Sequence, residues 1–169
     1  DRVHGVTYHL DKNTHTGTET LIIAAVLADG KTVLENAAEE PEIDELIDLL
    51  SKMGAKVKRT GKRVIEIEGV ERLHGAEVTI KPDRNEIVTL AIAAVVTEGD
   101  VFITDARVED IKEFIEKLEE AGGGVEAKGD GIRFFYKGEL HAVDVQTKPY
   151  PGFMTDWQAP WAMLMTKAV

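Results

Sequence analysis

The spacing of apolar residues changes along the chain, and each change marks an element. Val6, Tyr8 and Leu10 alternate with polar residues, so Val3 to Leu10 reads as a strand. Glu19 to Ala28 carries Leu21, Ile22, Ala24, Ala25 and Leu27. That is the mark of a short, mostly buried helix, and Asp29-Gly30 stops it. Lys31 to Glu35 is a second strand. Pro41 opens a second helix at a position where its missing N–H costs nothing. Ile43, Leu46, Ile47, Leu50 and Met53 then recur at helical spacing as far as Gly54. Val57 to Arg59 and Val64 to Ile67 read as two strands around Thr60-Gly61, and Gly69 closes the series.

The series then starts again. Val78-Thr-Ile-Lys-Pro82 alternates like the first strand, and Glu86 to Val96 is a second apolar helix ending near Gly99. Val101 to Ile103 is a strand, and Val108, Ile111, Ile115 and Leu118 stripe a helix stopped by Gly122-Gly123-Gly124. Val125 to Ala127 and Ile132 to Tyr136 form the closing pair, ahead of Gly138. Gly30 and Gly99 lie 69 residues apart, as do Gly69 and Gly138. A third copy begins at Ala142-Val-Asp-Val145, turns at Lys148 to Gln158, and enters an apolar run at Ala159 to Met165. The predicted fold is α/β, with repeated βαβαββ units around buried helices. The predicted boundaries are one partial domain over 1–169, with units at 1–70 and 76–138 and the start of a third at 141–169. Because the first helix of each unit is apolar nearly all round, a closed arrangement about those helices is expected rather than an open solenoid.

The turns between each unit's first strand and first helix hold the candidate chemistry. The first reads DKNTHTGTET from Asp11 to Thr20, and Asp83-Arg84-Asn85 partly echoes it. Free N–H groups and the helix dipole favour an anion there. Lys12 is either a solvated lysine or a contact for phosphate or an acidic neighbour. Thr14, His15 and Thr16 either open the helix or hold a diphosphate. Glu40, Asp83 and Arg84 either fix element ends as an Arg–carboxylate network or position substrate groups. Asp156, in Thr155-Asp156-Trp157-Gln158, is either a helix cap or a base that accepts a hydroxyl proton. Thr155 either caps that helix or meets a ligand. Trp157 and Trp161, four apart, read as core, and Asn13 and Asn85 as turn formers.

Composition narrows the classes. With 169 residues, 43% hydrophobic and 30% charged, the chain is a globular domain with a core. A formal net charge of -11 argues against general nucleic-acid binding, which needs a basic surface. There is no cysteine, so this segment has no disulfide, thiolate zinc site or cysteine nucleophile. His4, His9, His74 and His141 have no metal-ligand spacing. No run approaches the roughly 18 apolar residues of a membrane helix. The charged start and the apolar end, without a cap, suggest a piece of a longer polypeptide.

Glu35-Asn36-Ala37-Ala38, Glu40-Pro41-Glu42, Ile67-Glu68-Gly69-Val70, Pro82-Asp83-Arg84 and Thr155-Asp156-Trp157-Gln158 together resemble the UDP-N-acetylglucosamine 1-carboxyvinyltransferase family of enolpyruvyl transferases. The resemblance covers essentially the whole chain. It implies most of the nucleotide-sugar-binding domain of an inside-out α/β barrel with two such domains. The second domain, and the loop that usually carries a cysteine for phosphoenolpyruvate chemistry, would lie outside the chain. It implies transfer of enolpyruvyl from phosphoenolpyruvate to UDP-N-acetylglucosamine in peptidoglycan precursor synthesis, in the cytoplasm, without metal or organic cofactor.

By the same resemblance, Lys12 flanks the nucleotide-sugar pocket, and Thr14, His15 and Thr16 contact the uridine diphosphate; Thr155 either caps its helix or meets the nucleotide. Glu40, Asp83 and Arg84 position groups on the Lys12 side of the cleft, and Asp156 is the base. Thr14-His15-Thr16 departs from the usual serine-valine-glycine, and Met154 stands where proline is usual. Two other readings compete: the related shikimate-pathway enolpyruvyl transferase, and a non-catalytic repeat domain binding a nucleotide sugar or a protein.

Overall fold

A computed structural model describes residues 2–169. The chain divides into two compact units, one ending at Ile80 and one running from Lys81 to Val169.

Unit one contains β1 (Thr7–His9), α1 (His15–Ala25), β2 (Lys31–Glu35), α2 (Pro41–Lys52), β3 (Lys56–Gly61) and β4 (Val64–Glu68), the expected βαβαββ order. Its sheet runs β1-β2-β4-β3. β1 pairs with β2 in parallel, because α1 supplies the crossover; the other pairs are antiparallel. Leu10, Ile22, Val26, Leu34, Ile43, Leu50, Ile65 and Ile67 form its core. α1 starts at His15, earlier than the apolar run suggests. Thr14 is extended (φ -140°, ψ 124°) and its hydroxyl accepts the Gly17 N–H at 3.3 Å, so the cap sets the start. Glu42 and Asp44 in the first turn of α2, and Lys52 in the last, oppose the helix dipole.

Unit two contains α3 (Arg84–Val96), β5 (Asp100–Thr104), a 3₁₀ turn (Val108–Asp110), α4 (Lys112–Glu120), β6 (Gly124–Lys128) and β7 (Gly131–Phe135). A second 3₁₀ turn (Thr155–Trp157) leads into α5 (Gln158–Met165). The sheet is β5-β7-β6, antiparallel throughout. The repeat is structural: β2 and β5 start and end 69 residues apart, and so do the caps Thr14 and Asp83. Trp157 and Trp161 are buried core residues, as expected. Their rings lie 6.0 and 6.3 Å from Phe114 and 5.3 and 5.5 Å from Phe153.

Two expectations need correction. The strand expected over Val78–Pro82 does not form; residues 76–82 are exposed, with Ile80 at 79%. In unit one, Asn36 sits at φ 56° and its Nδ2 donates to the Leu10 carbonyl at 2.8 Å, tying the end of β1 to the end of β2. The counterpart 69 residues on is Asp105, at φ 59°. An ionised carboxylate has no N–H to give a carbonyl, so that tie is missing. The strand expected at Ala142–Val145 is also absent. Val143 N–H donates to Met165 Sδ at 3.4 Å, and the Val143 carbonyl accepts from Trp161 Nε1 at 3.4 Å, so side chains near α5 take backbone groups that a ladder would use. α1 and α3 each keep an exposed apolar side chain, Ile23 at 55% and Leu90 at 50%. A single sheet covers one side of a helix, and even with α5 packed on it α3 keeps an apolar stripe in solvent.

Candidate functional site

In unit one the predicted residues lie on two loops joined by a seam of hydrogen bonds. The loop entering α1 carries Lys12 and Thr14, and the first turn of α1 carries His15 and Thr16; the loop entering α2 carries Glu40. Asn36 Nδ2 donates to the Leu10 carbonyl at 2.8 Å, Asn13 Nδ2 to the Ala37 carbonyl at 3.1 Å, and the Ala38 N–H to Thr18 Oγ1 at 3.0 Å. Thr18 Oγ1 also donates to the Thr14 carbonyl at 2.8 Å. Thr18 and Ala38 are fully buried, so each of these groups depends on the other.

Along this seam Lys12, Thr14 and Thr16 are exposed, and Lys12 has no ion-pair partner among the described residues. His15 Nε2 lies 3.3 Å from Glu19 Oε1 but outside hydrogen-bonding geometry. Glu40 is 7% exposed, and its Oε2 is buried without a hydrogen-bond partner among the described residues. Although it precedes α2, its side chain does not cap that helix. Its neighbour Glu39 is paired with Arg63 Nε at 2.6 Å and Lys62 Nζ at 3.5 Å. Burial works against the Glu39 charge, but the hydrogen bond to Arg63 and the two cations together hold its carboxyl below the usual range.

In unit two the predicted residues lie on the entry to α3 and on the 3₁₀ turn before α5. Asp83 caps α3, its Oδ1 accepting the Asn85 N–H at 2.7 Å. Arg84, only 2% exposed, has its Nη1 3.5 Å from the Asp110 carbonyl and its guanidinium 5.1 Å from the centre of the Tyr150 ring. Burial pushes the Asp110 carboxyl up; Arg107 and Arg84 oppose the shift and Glu109 adds to it. Asn85 Oδ1 accepts Trp157 Nε1–H at 3.0 Å, which ties the Asp83–Arg84 turn to the turn holding Thr155 and Asp156. Thr155 and Asp156 are exposed, and neither caps a helix: no side chain caps the 3₁₀ turn or α5.

The candidate residues therefore fall into two groupings. Lys12, Thr14, His15, Thr16 and Glu40 gather in unit one; Asp83, Arg84, Thr155 and Asp156 gather in unit two. The DKN and DRN triplets are out of register. Asp11 begins three residues before the Thr14 cap, whereas Asp83 is itself the cap. In the 69-residue repeat, Lys12 corresponds to Lys81 and His15 to Arg84. Each unit thus places a lysine two residues before its cap and a second basic side chain just after it. The entry to α1 offers helix-terminal N–H groups and the exposed Lys12 to an anion, while Asp156, which caps no helix, offers a base to a hydroxyl.

Sequence reasoning did not find Thr18, Asn36, Tyr150 or Asp110. Asn36 carried a usable signal, as a polar residue after a strand where the repeat also has Asp105. Two surface depressions are lined by none of the predicted site residues. One, of about 410 Å³, includes Lys31, Lys56, Glu66 and Glu68; the other, of about 480 Å³, lies between Asp105–Glu109 and Ala127–Ile132.

Residues 1–169 match the EPSP synthase (3-phosphoshikimate 1-carboxyvinyltransferase) family, and the chain belongs to that family. Curated relatives define a narrower group. The chain is 47% identical over 169 residues to a UDP-N-acetylglucosamine 1-carboxyvinyltransferase of Acidobacterium capsulatum, covering 99% of this chain and 39% of that protein. It is 48% identical to the enzyme of that name from Desulfatibacillum aliphaticivorans, and 44% identical to UDP-N-acetylglucosamine 1-carboxyvinyltransferase 1 of Staphylococcus aureus. Each alignment covers 99% of this chain and 40% of the relative. Among solved structures, the fold is similar to that of the enolpyruvyl transferase NikO from Streptomyces tendae. The TM-score is 0.84 at 22% identity, over 99% of this chain and 43% of that one. An EPSP synthase from Acinetobacter baumannii matches with a TM-score of 0.57 at 20% identity, over 98% of this chain and 37% of that one. The chain thus spans about two fifths of the length of the curated relatives it matches.

Proposed function

We propose that this chain is the larger part of the nucleotide-sugar-binding domain of an enolpyruvyl transferase. The polypeptide containing it would transfer enolpyruvyl from phosphoenolpyruvate to the 3-hydroxyl of UDP-N-acetylglucosamine. The observation that carries this reading is the 44–48% identity, over 99% of the chain, to proteins named for that reaction. In this reading the hydroxyl oxygen adds to C2 of phosphoenolpyruvate while C3 takes a proton. The adduct then loses inorganic phosphate and a C3 proton, which restores the double bond. The product would enter peptidoglycan precursor synthesis in the cytoplasm.

Within this reading Lys12, Thr14, His15 and Thr16 bind the uridine diphosphate. The free lysine and the exposed entry to α1 favour that role. Glu40, Asp83 and Arg84 position groups, and Thr155 meets the nucleotide. Asp156 accepts the 3-hydroxyl proton, and its exposure without a cap contact supports that assignment. Holding two anionic substrates in attack geometry needs both walls of a cleft. The 169-residue chain alone is therefore expected to give no turnover, with the remainder of the polypeptide supplying the second domain.

The test is phosphate release by the full-length polypeptide, with phosphoenolpyruvate plus either UDP-N-acetylglucosamine or 3-phosphoshikimate. Release with the nucleotide sugar alone is expected. Release only with 3-phosphoshikimate, or with neither, overturns the reading. For the binding residues, a UDP-N-acetylglucosamine titration of this chain should move the amides of residues 12–16 and 155–156. Shifts confined to α2 would contradict their assignment.

A further inference from the structure

The segment before Asp156 is anchored by one side chain to which the chemistry above gives no part. Residues 147–153 form a tight loop. Thr147 and Phe153 make an isolated bridge, Lys148 N–H donates to the Phe153 carbonyl at 2.9 Å, and Gly152 N–H to the Pro149 carbonyl at 2.9 Å. Phe153 and Trp157 hold the far end of the loop in the aromatic core, and Trp157 is bonded to Asn85. The near end projects from that core and carries Tyr150. Its ring receives the Arg84 guanidinium at 5.1 Å, and its hydroxyl donates to the Glu109 carbonyl at 3.4 Å.

Arg84 is a buried cation at the first position of α3, where the helix dipole is unfavourable to positive charge. The Tyr150 face meets that charge electrostatically and keeps water from it. The contact therefore works in two directions: it shelters Arg84, and it fixes the loop that sets where Asp156 sits.

We infer that Tyr150 is a positioning residue that acts through Arg84, its aromatic face holding loop 147–153 so that the turn bearing Thr155 and Asp156 keeps one orientation. The inference rests on the role proposed for Asp156 only for its consequence in turnover. The stack and the anchored loop stand without it. The ring stack is the part of the anchor under test, and the Glu109 bond is its lesser part, because 3.4 Å is long for an O–H to carbonyl bond.

The test compares Tyr150→Phe, which keeps the face, with Tyr150→Leu, which keeps an apolar side chain and loses it. Amide hydrogen exchange is read over residues 147–157 of this chain, beside thermal melts. Leu should raise exchange there roughly 10-fold or more with little change elsewhere, and Phe should match the wild type. In the full-length polypeptide, Tyr150→Leu should lower kcat by about 10-fold while each KM stays within about 3-fold, and Phe should restore it. If Tyr150→Leu fails to fold, Tyr150→Trp replaces it: a larger aromatic face must preserve the wild-type exchange pattern. Unchanged exchange in Leu, equal damage in Phe and Leu, or loss of protection in Trp would each overturn the inference. A full-length wild type without transfer activity would count against the proposed function; the exchange data would still decide the role of Tyr150.

Discussion

Thr18→Val isolates the seam that joins the α1 entry to the Glu40 loop. Valine matches threonine in shape, so the fully buried site is neither emptied nor overfilled. The change removes two hydrogen bonds, Thr18 Oγ1 to the Thr14 carbonyl and the Ala38 N–H to Thr18 Oγ1. The first is a local helix bond worth about 0.5–1 kcal/mol. The second leaves the N–H of fully buried Ala38 without its partner, at about 1–3 kcal/mol. The total is a loss of about 1.5–4 kcal/mol, or roughly 3–16 °C in melting temperature for a domain of this size.

Thr20→Val is the matched control. Its hydroxyl makes the same type of bond, to the Thr16 carbonyl at 2.8 Å, but at an exposed position, so the change should stay within about 0.5 kcal/mol. Parallel melts and urea titrations of both variants give the comparison. A Thr18→Val variant no less stable than Thr20→Val would refute the claim that the seam is held by satisfied buried polar groups.

In the full-length polypeptide, Asp156→Asn should slow single-turnover chemistry by roughly 10²–10⁴-fold at saturating substrate. Since Asp156 caps no helix, its melting curve should hardly move; near-normal chemistry would remove it as the base. Asp105→Asn should stabilise by about 0.5–1 kcal/mol, since asparagine tolerates φ 59° and regains an N–H donor. Thermal melts of both forms check it, and an unchanged or lower melting temperature would refute it. Glu39→Gln should cost about 1 kcal/mol at neutral pH. Because the fold lowers the Glu39 pKa, this contribution is complete above the unfolded value near 4.5 and is lost as pH falls through the folded value. The two melting curves should therefore converge in acid, and a gap that widens with acid would reverse the assignment.

The parts of the fold visible in the sequence were those fixed by local chemistry. The glycines at the 69-residue interval, Pro41 and the apolar stripe of the second helix all mark where elements stop, start or face the core. The parts that were not visible depend on a partner. Val78 and Ile80 alternate as a strand should, yet alternation alone supplies neither a neighbouring ladder nor a core to face. The extent of α1 was set by a hydroxyl on Thr14 rather than by the apolar run from Leu21. The DKN and DRN triplets looked equivalent as letters, and only the positions of the caps revealed their offset. The site residues were legible as types: a lysine before a cap, and a carboxylate before a helix. Glu40 Oε2, buried without a hydrogen-bond partner among the described residues, and Tyr150, stacked against Arg84, required coordinates, because burial and stacking are not written in spacing.

The missing counterpart of β1 has a colloidal consequence. Among the described residues, one side of β5 pairs with β7 and the other pairs with no strand, which leaves a row of backbone donors and acceptors with Phe102 beside it. Open edges of this kind invite a second chain to add on, and charge is the usual deterrent. Here the deterrent is Asp100, clasped by Arg133, which also holds Glu126 and lies over the Phe135 ring. The hydrogen bond from Arg133 holds the Asp100 carboxyl below its usual range, so the edge keeps its negative charge into mild acid. Removing Arg133 would do more than delete a surface ion pair. It would let Asp100 take up a proton at a higher pH and bring forward the acidity at which chains begin to associate edge to edge.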